Sequence, residues 1–157
     1  MNAQVLVSVV VVAALALACG DEGGDKPAPE DPIIGAWKGG GNITWRYAGN
    51  KYALQTSEVS LTCTHPNGYK LSYKGIAASG PNAVNVEYSA SGAFTDAAHK
   101  TSGDIAFAST SLTLKHDGML QKTVNTSESW TYSIVGSALS LKRTQLDAQA
   151  SLTLSKQ

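Results

Sequence analysis

The chain is short of charge. Asp, Glu, Lys and Arg make up 15% of its 157 residues, against roughly a quarter in ordinary soluble domains. Acids and bases balance at 12 each. No run of Lys and Arg is dense enough to follow a phosphate backbone, so nucleic acid is not an expected partner. Cysteine is scarce as well, with only Cys19 and Cys63. A disulfide-stapled scaffold is therefore excluded, and the fold must rest on its core. Aromatics reach only 7%. Hydrophobic residues still make up 43%, too many for a disordered chain, and the length suits one domain.

Catalytic signatures are missing too. There is no Gly-x-Ser-x-Gly elbow, no phosphate-binding loop, no dinucleotide fingerprint and no calcium loop. The three histidines, His65, His99 and His116, lie in or beside turns and polar loops. Cys63 and His65 sit two apart and supply at most two metal ligands, short of the three or four that a tetrahedral site requires. Glu58 and Glu87 fall on strand faces opposite the apolar residues, where solvation is their expected fate. No enzyme, no cofactor and no metal are expected.

What is present begins with an address. Residues 5–18 form an apolar run without a charge. It is too short to span a bilayer, which takes about 20 apolar residues, and it has the form of the apolar core of an export signal. The run ends in Leu15-Ala16-Leu17-Ala18-Cys19. This resembles the bacterial lipobox, in which small residues lead into a cysteine that takes a diacylglyceryl group. The resemblance implies cleavage before Cys19, acylation of that residue, and stable membrane anchoring by several chains. The alternative is cleavage by the ordinary signal peptidase at Ala16-Leu17-Ala18, which leaves a soluble protein with a free Cys19.

Residues 20–32 carry Asp21, Glu22, Asp25, Glu30 and Asp31 against Lys26, a net charge of −4, interleaved with Gly and Pro. Such a segment cannot bury enough apolar area to offset its ordering entropy, and it reads as a tether. The remainder carries a net +4. Residues 1–18 are thus read as signal, 19–32 as tether and 33–157 as the working domain. Gly20 after the cysteine favours the outer membrane by resemblance to diderm sorting rules, and places the protein in the cell envelope.

Within residues 33–157 alternation dominates. Val59, Leu61 and Cys63 share a face, as do Tyr69, Leu71 and Tyr73, then Val84, Val86 and Tyr88. Ile105 and Phe107, Leu112 and Leu114, Trp130, Tyr132 and Ile134, Leu139 and Leu141, and Leu152 and Leu154 continue the pattern. A period of two this persistent predicts half-buried antiparallel strands. Breaks at His65-Pro66-Asn67-Gly68, Ser79-Gly80-Pro81-Asn82, His116-Asp117-Gly118 and Val135-Gly136-Ser137 predict tight turns. The expectation is an all-β domain of about eight to ten strands, with at most one short helical turn at residues 96–100. Consecutive hairpins favour a meander that closes into a barrel. A β-sandwich is the alternative.

A family resemblance enters on two segments. Ile33-Ile34-Gly35-Ala36-Trp37-Lys38 places a Gly-x-Trp at the start of the first strand, and Trp130 to Leu141 has the form of a late hairpin. Both resemble bacterial lipocalin-like domains. The resemblance implies a barrel closed at one end by Trp37, with Arg143 packed over its ring, and an interior that binds a small hydrophobic ligand. The residues expected around such a cavity are Tyr73, Val86, Tyr88, Phe107, Leu114 and Tyr132. The Arg-rich carboxylate site of fatty-acid-binding relatives is not implied, since only Arg46 and Arg143 are present. The competing expectation is a filled barrel that serves as a structural or protein-interaction component of the envelope.

Overall fold

The computed structural model describes residues 30–96, 100–123, 127–145 and 148–157. The signal, Cys19 and nearly all of the tether lie outside them. Nine strands run in chain order: β1 (Gly35–Tyr47), β2 (Asn50–Thr64), β3 (Gly68–Ser79), β4 (Asn82–Asp96), β5 (Ser102–His116), β6 (Met119–Thr123), β7 (Ser127–Val135), β8 (Ala138–Gln145) and β9 (Ala148–Lys156). No helix occurs among the described residues. Most of the turn expected at residues 96–100 lies outside them.

Consecutive strands pair antiparallel except β6 and β7, which both pair with β5, and β1 pairs with both β2 and β9. The sheet therefore closes, which settles the choice between barrel and sandwich. The barrel has eight positions. Seven are filled by single strands, and the eighth is shared: β7 pairs with the first half of β5, and β6 with its last residues. Closure leaves few free edges, the usual hazard of antiparallel sheets.

The apolar phase read from the sequence is the inward phase. Val59, Leu61, Cys63, Tyr69, Leu71, Val86, Ile105, Phe107, Trp130, Tyr132, Leu139, Leu141, Leu152 and Leu154 are all buried. Bulges in β2 and β5 shift the phase so that these long strands stay inward on both sides of a bend. In β2 the inward set changes from Tyr52 and Leu54 to Val59 and Leu61, and the β2–β3 register shifts between Leu54 and Glu58. In β5 it changes from Ile105, Phe107 and Ser109 to Leu112, Leu114 and His116. Opposite the β2 bulge lies Gly39–Gly41 of β1, which keeps its own phase. A Cβ on Gly39 or Gly41 would collide with backbone of β9, and one on Gly40 with backbone of β2.

The two ends of the barrel differ. At the lower end, where β1 starts, Trp37 is fully buried over Ile33, and its indole N–H donates to the Ile33 carbonyl oxygen at 2.8 Å. Leu61, Cys63, Tyr69, Phe94, Phe107, Tyr132, Leu139 and Leu154 fill the half above it, each at most 4% exposed. This half is solid. The upper half is not, and β9 shows why. Its inward residues, from the upper end down, are Ala148, Ala150, Leu152 and Leu154. Small side chains line the top and large ones the bottom. Eight strands give a bore that side chains can just fill, so two successive inward alanines leave room.

Candidate functional site

That room is a cavity of about 290 Å³ in the upper half of the barrel. Its apolar walls include Ile43 and Trp45 from β1, Leu71 from β3, Leu112 and Leu114 from β5, and Trp130 from β7. Tyr73 and Tyr88 face each other across β3 and β4 as a Cα-aligned pair. Their rings stack at 4.4 Å with planes only 6° apart. Burial, and next the Glu128 carboxylate, push both phenols well above the ordinary range, so they remain neutral.

The cavity also holds two charges. Glu128 belongs to the inward row Glu128-x-Trp130-x-Tyr132 of β7, and Arg143 to the inward row Leu139-x-Leu141-x-Arg143 of β8. The Arg143 guanidinium contacts the Glu128 carboxylate at 2.6 Å, with side chains only 17% and 11% exposed. The second carboxylate oxygen accepts from the Trp130 indole N–H at 3.3 Å. The Arg143 carbon lies 5.9 Å from the Trp130 ring centroid. Gln145 accepts from Arg143 Nε at 3.2 Å and from Nη2 at 2.8 Å. A fork held from two sides in this way is fixed in orientation.

Beside the cavity an aromatic cluster spans the top of the barrel. Trp45 stacks on Tyr52 at 5.4 Å. His116, arriving from β5 on the opposite wall, packs against Tyr52 at 4.7 Å, Tyr47 at 5.8 Å and Trp45 at 6.0 Å. Among the described residues, Trp45 Nε1 and His116 Nε2 are buried without a hydrogen-bond partner. Burial lowers the pKa of His116, partly offset by Asp117.

A second, larger concavity of about 590 Å³ is an open groove on the outer face of β2–β5. Ion pairs line it, Lys74–Glu58 at 2.9 Å and Lys115–Glu87 at 3.7 Å, all with exposed side chains. Glu58 and Glu87 are thus solvated, as their strand phase implied. Pairs of this kind contribute little to stability.

The residues picked from the sequence divide between the two halves. Tyr73, Tyr88 and Leu114 line the cavity. Phe107 and Tyr132 belong to the solid lower half. Phe107 packs on Tyr69 at 4.7 Å, and the Tyr132 hydroxyl donates to the Lys100 carbonyl oxygen at 3.1 Å. Val86 is buried without lining the cavity. The expected pairing of Trp37 with Arg143 is not formed. The register sets Ala150 opposite both Arg143 and Ile43, six positions along β1 from Trp37, or about 20 Å at strand rise. Lys156 covers the Trp37 ring instead, at 5.4 Å, because β9 pairs it directly with Trp37.

Glu128 and Trp130 were not read as cavity residues from the sequence, although their phase with Tyr132 signals an inward position. Cys63 is a buried free thiol, pushed up to about 12 chiefly by burial, and His65 is exposed at the neighbouring turn. Among the described residues no group of His, Cys, Asp and Glu is arranged to hold a metal ion.

Comparison of the chain with protein-family models, with curated proteins and with solved structures finds no match. The functional reading therefore rests on the barrel and its cavity.

Proposed function

We propose that this protein is a lipid-anchored, lipocalin-like binding barrel of the bacterial cell envelope that holds a small lipophilic molecule in the upper half of its bore. The observation that carries the reading is the contrast between the halves. The lower half is packed shut, while the upper half keeps a cavity of about 290 Å³ walled by aromatic and aliphatic side chains. Binding sites are typically concave and mostly apolar, with a few fixed polar groups, and this volume lies just below their usual range. The Arg143–Glu128 pair supplies fixed polar groups. Anchoring rests on the leader: an apolar run ending in Ala18-Cys19, followed by an acidic tether. Acyl chains on Cys19 would hold the barrel at a membrane, most simply the outer one.

Native mass spectrometry of the protein purified from its own host tests both parts. The expected spectrum shows a lipid-sized covalent addition on Cys19 and a small noncovalent adduct that gentle activation removes. In parallel, the neutral dye N-phenyl-naphthylamine should brighten with the native protein. It should do so far less with Ala150→Leu, whose larger side chain would occupy the cavity. An unmodified Cys19 would overturn the anchor. No adduct, together with no dye response, would overturn the binding reading in favour of a filled structural barrel.

A further inference from the structure

The walls of the cavity also restrict the charge of its occupant. Glu128 and Arg143 cancel each other, and Arg46, the other charged residue at the cavity, is exposed on the opposite face of β1. The lining inside is otherwise neutral. Both members of the pair are already engaged by the protein. One carboxylate oxygen of Glu128 takes Arg143 and the other takes the Trp130 N–H. Of the five N–H groups of a guanidinium, three are used among the described residues, one towards Glu128 and two towards Gln145. What remains is a pair of donors with no unpaired charge behind them.

An entering carboxylate would either draw Arg143 away from Glu128 or share it, and in both cases one buried negative charge is left uncompensated, which is strongly unfavourable. An ammonium would strand Arg143 in the same way. A neutral acceptor meets the spare donors and leaves the pair intact. The stacked Tyr73–Tyr88 rings and the Trp130 indole give the walls flat faces suited to a planar or chain-like body. The volume corresponds to about ten water-sized units, so the buried part is small.

We infer, resting on the binding reading above, that the occupant is an uncharged lipophilic molecule whose polar end is a hydrogen-bond acceptor, such as a carbonyl or amide oxygen, directed at the Arg143 guanidinium. Free fatty acids and other lipophilic carboxylates are disfavoured. The neutrality of Tyr73 and Tyr88 agrees with this selection, since neither phenol offers charge to compensate an ionic head group.

The test compares two probes of the same shape and heavy-atom count, naphthalene carboxamide and naphthalene carboxylate, titrated calorimetrically into the native protein near neutral pH. The carboxamide should bind at least about ten-fold more tightly. In Glu128→Gln the Arg143 charge loses its partner, so the order should reverse, and the carboxylate should raise the melting temperature of that variant more than the amide does. A carboxylate that binds the native protein as tightly as the amide would overturn the inference while leaving the binding barrel in place. So would a Glu128→Gln protein whose order of preference is unchanged. If Glu128→Gln does not fold, the comparison on the native protein decides alone. Failure of both probes and of the neutral dye would overturn the binding reading itself, and this inference with it.

Discussion

Arg143 and Glu128 meet at 2.6 Å inside a barrel whose other inward residues are almost all apolar. Neither side chain is left to water, and each has a second protein partner, Gln145 for the arginine and Trp130 for the glutamate. The pair stands at the upper ends of β7 and β8, in the wall of the cavity.

Breaking that pair from one side is predicted to be far worse than removing both charges. Glu128→Leu and Arg143→Met should each lower unfolding stability by about 3–5 kcal/mol, because each leaves a buried ion without its counterion. The double variant should return to within about 1 kcal/mol of the native protein, or exceed it. Urea unfolding of the four proteins gives the coupling energy directly. A coupling close to zero would show that the pair behaves like a solvated surface bridge, and the cavity would then lose its fixed polar end.

The aromatic cluster across the mouth makes stability depend on pH. Burial holds His116 below its ordinary pKa of 6.5. Between that lowered value and 6.5 the unfolded chain binds a proton that the folded chain does not, so the folded state loses ground as pH falls. The contribution of His116 is fully present above about pH 6.5 and declines below it. Melting temperatures taken from about pH 7.5 down to about pH 5 should fall for the native protein and fall less for His116→Phe, which keeps a ring among Trp45, Tyr47 and Tyr52 but cannot titrate. Parallel pH profiles would mean that other groups govern the decline.

Much of this architecture is legible from residue order. The inward rows of β2–β5 and β7–β9 are the apolar rows of the sequence, since a strand with one buried face must alternate. The Val135-Gly136-Ser137 break is a true hairpin, with Val135 paired to Ala138 and Gly136 at φ 59°. The site was less legible because it depends on register. Glu128 and Arg143 each lie in phase with an apolar row, but only the β7–β8 pairing of Thr131 with Lys142 brings Arg143 alongside Trp130 and within reach of Glu128. The same dependence undoes the Trp37–Arg143 expectation. Trp37 and Arg143 stand on strands separated by β9 and at different heights in the barrel. The cavity itself is signalled only by smallness, by Ala148 and Ala150 where Leu152 and Leu154 stand lower down. Smallness on one strand does not reveal what faces it.

Trp37 is predicted to carry the closed end by packing, with little help from the cation above it. Its indole is fully buried and tied to Ile33 at 2.8 Å, so Trp37→Ala should lower unfolding stability by about 3–5 kcal/mol. Lys156 stands 5.4 Å from the ring centroid but is exposed, and Lys156→Met should cost no more than about 1 kcal/mol. Trp37→Phe keeps much of the buried ring and loses the hydrogen bond, so its deficit should fall between the two. Because the solid lower half separates this plug from the cavity, Trp37→Phe should leave dye binding unchanged while lowering the urea midpoint. If Lys156→Met matched Trp37→Ala, the closure would be electrostatic in origin. If Trp37→Phe weakened dye binding, the two ends of the barrel would be coupled through its core.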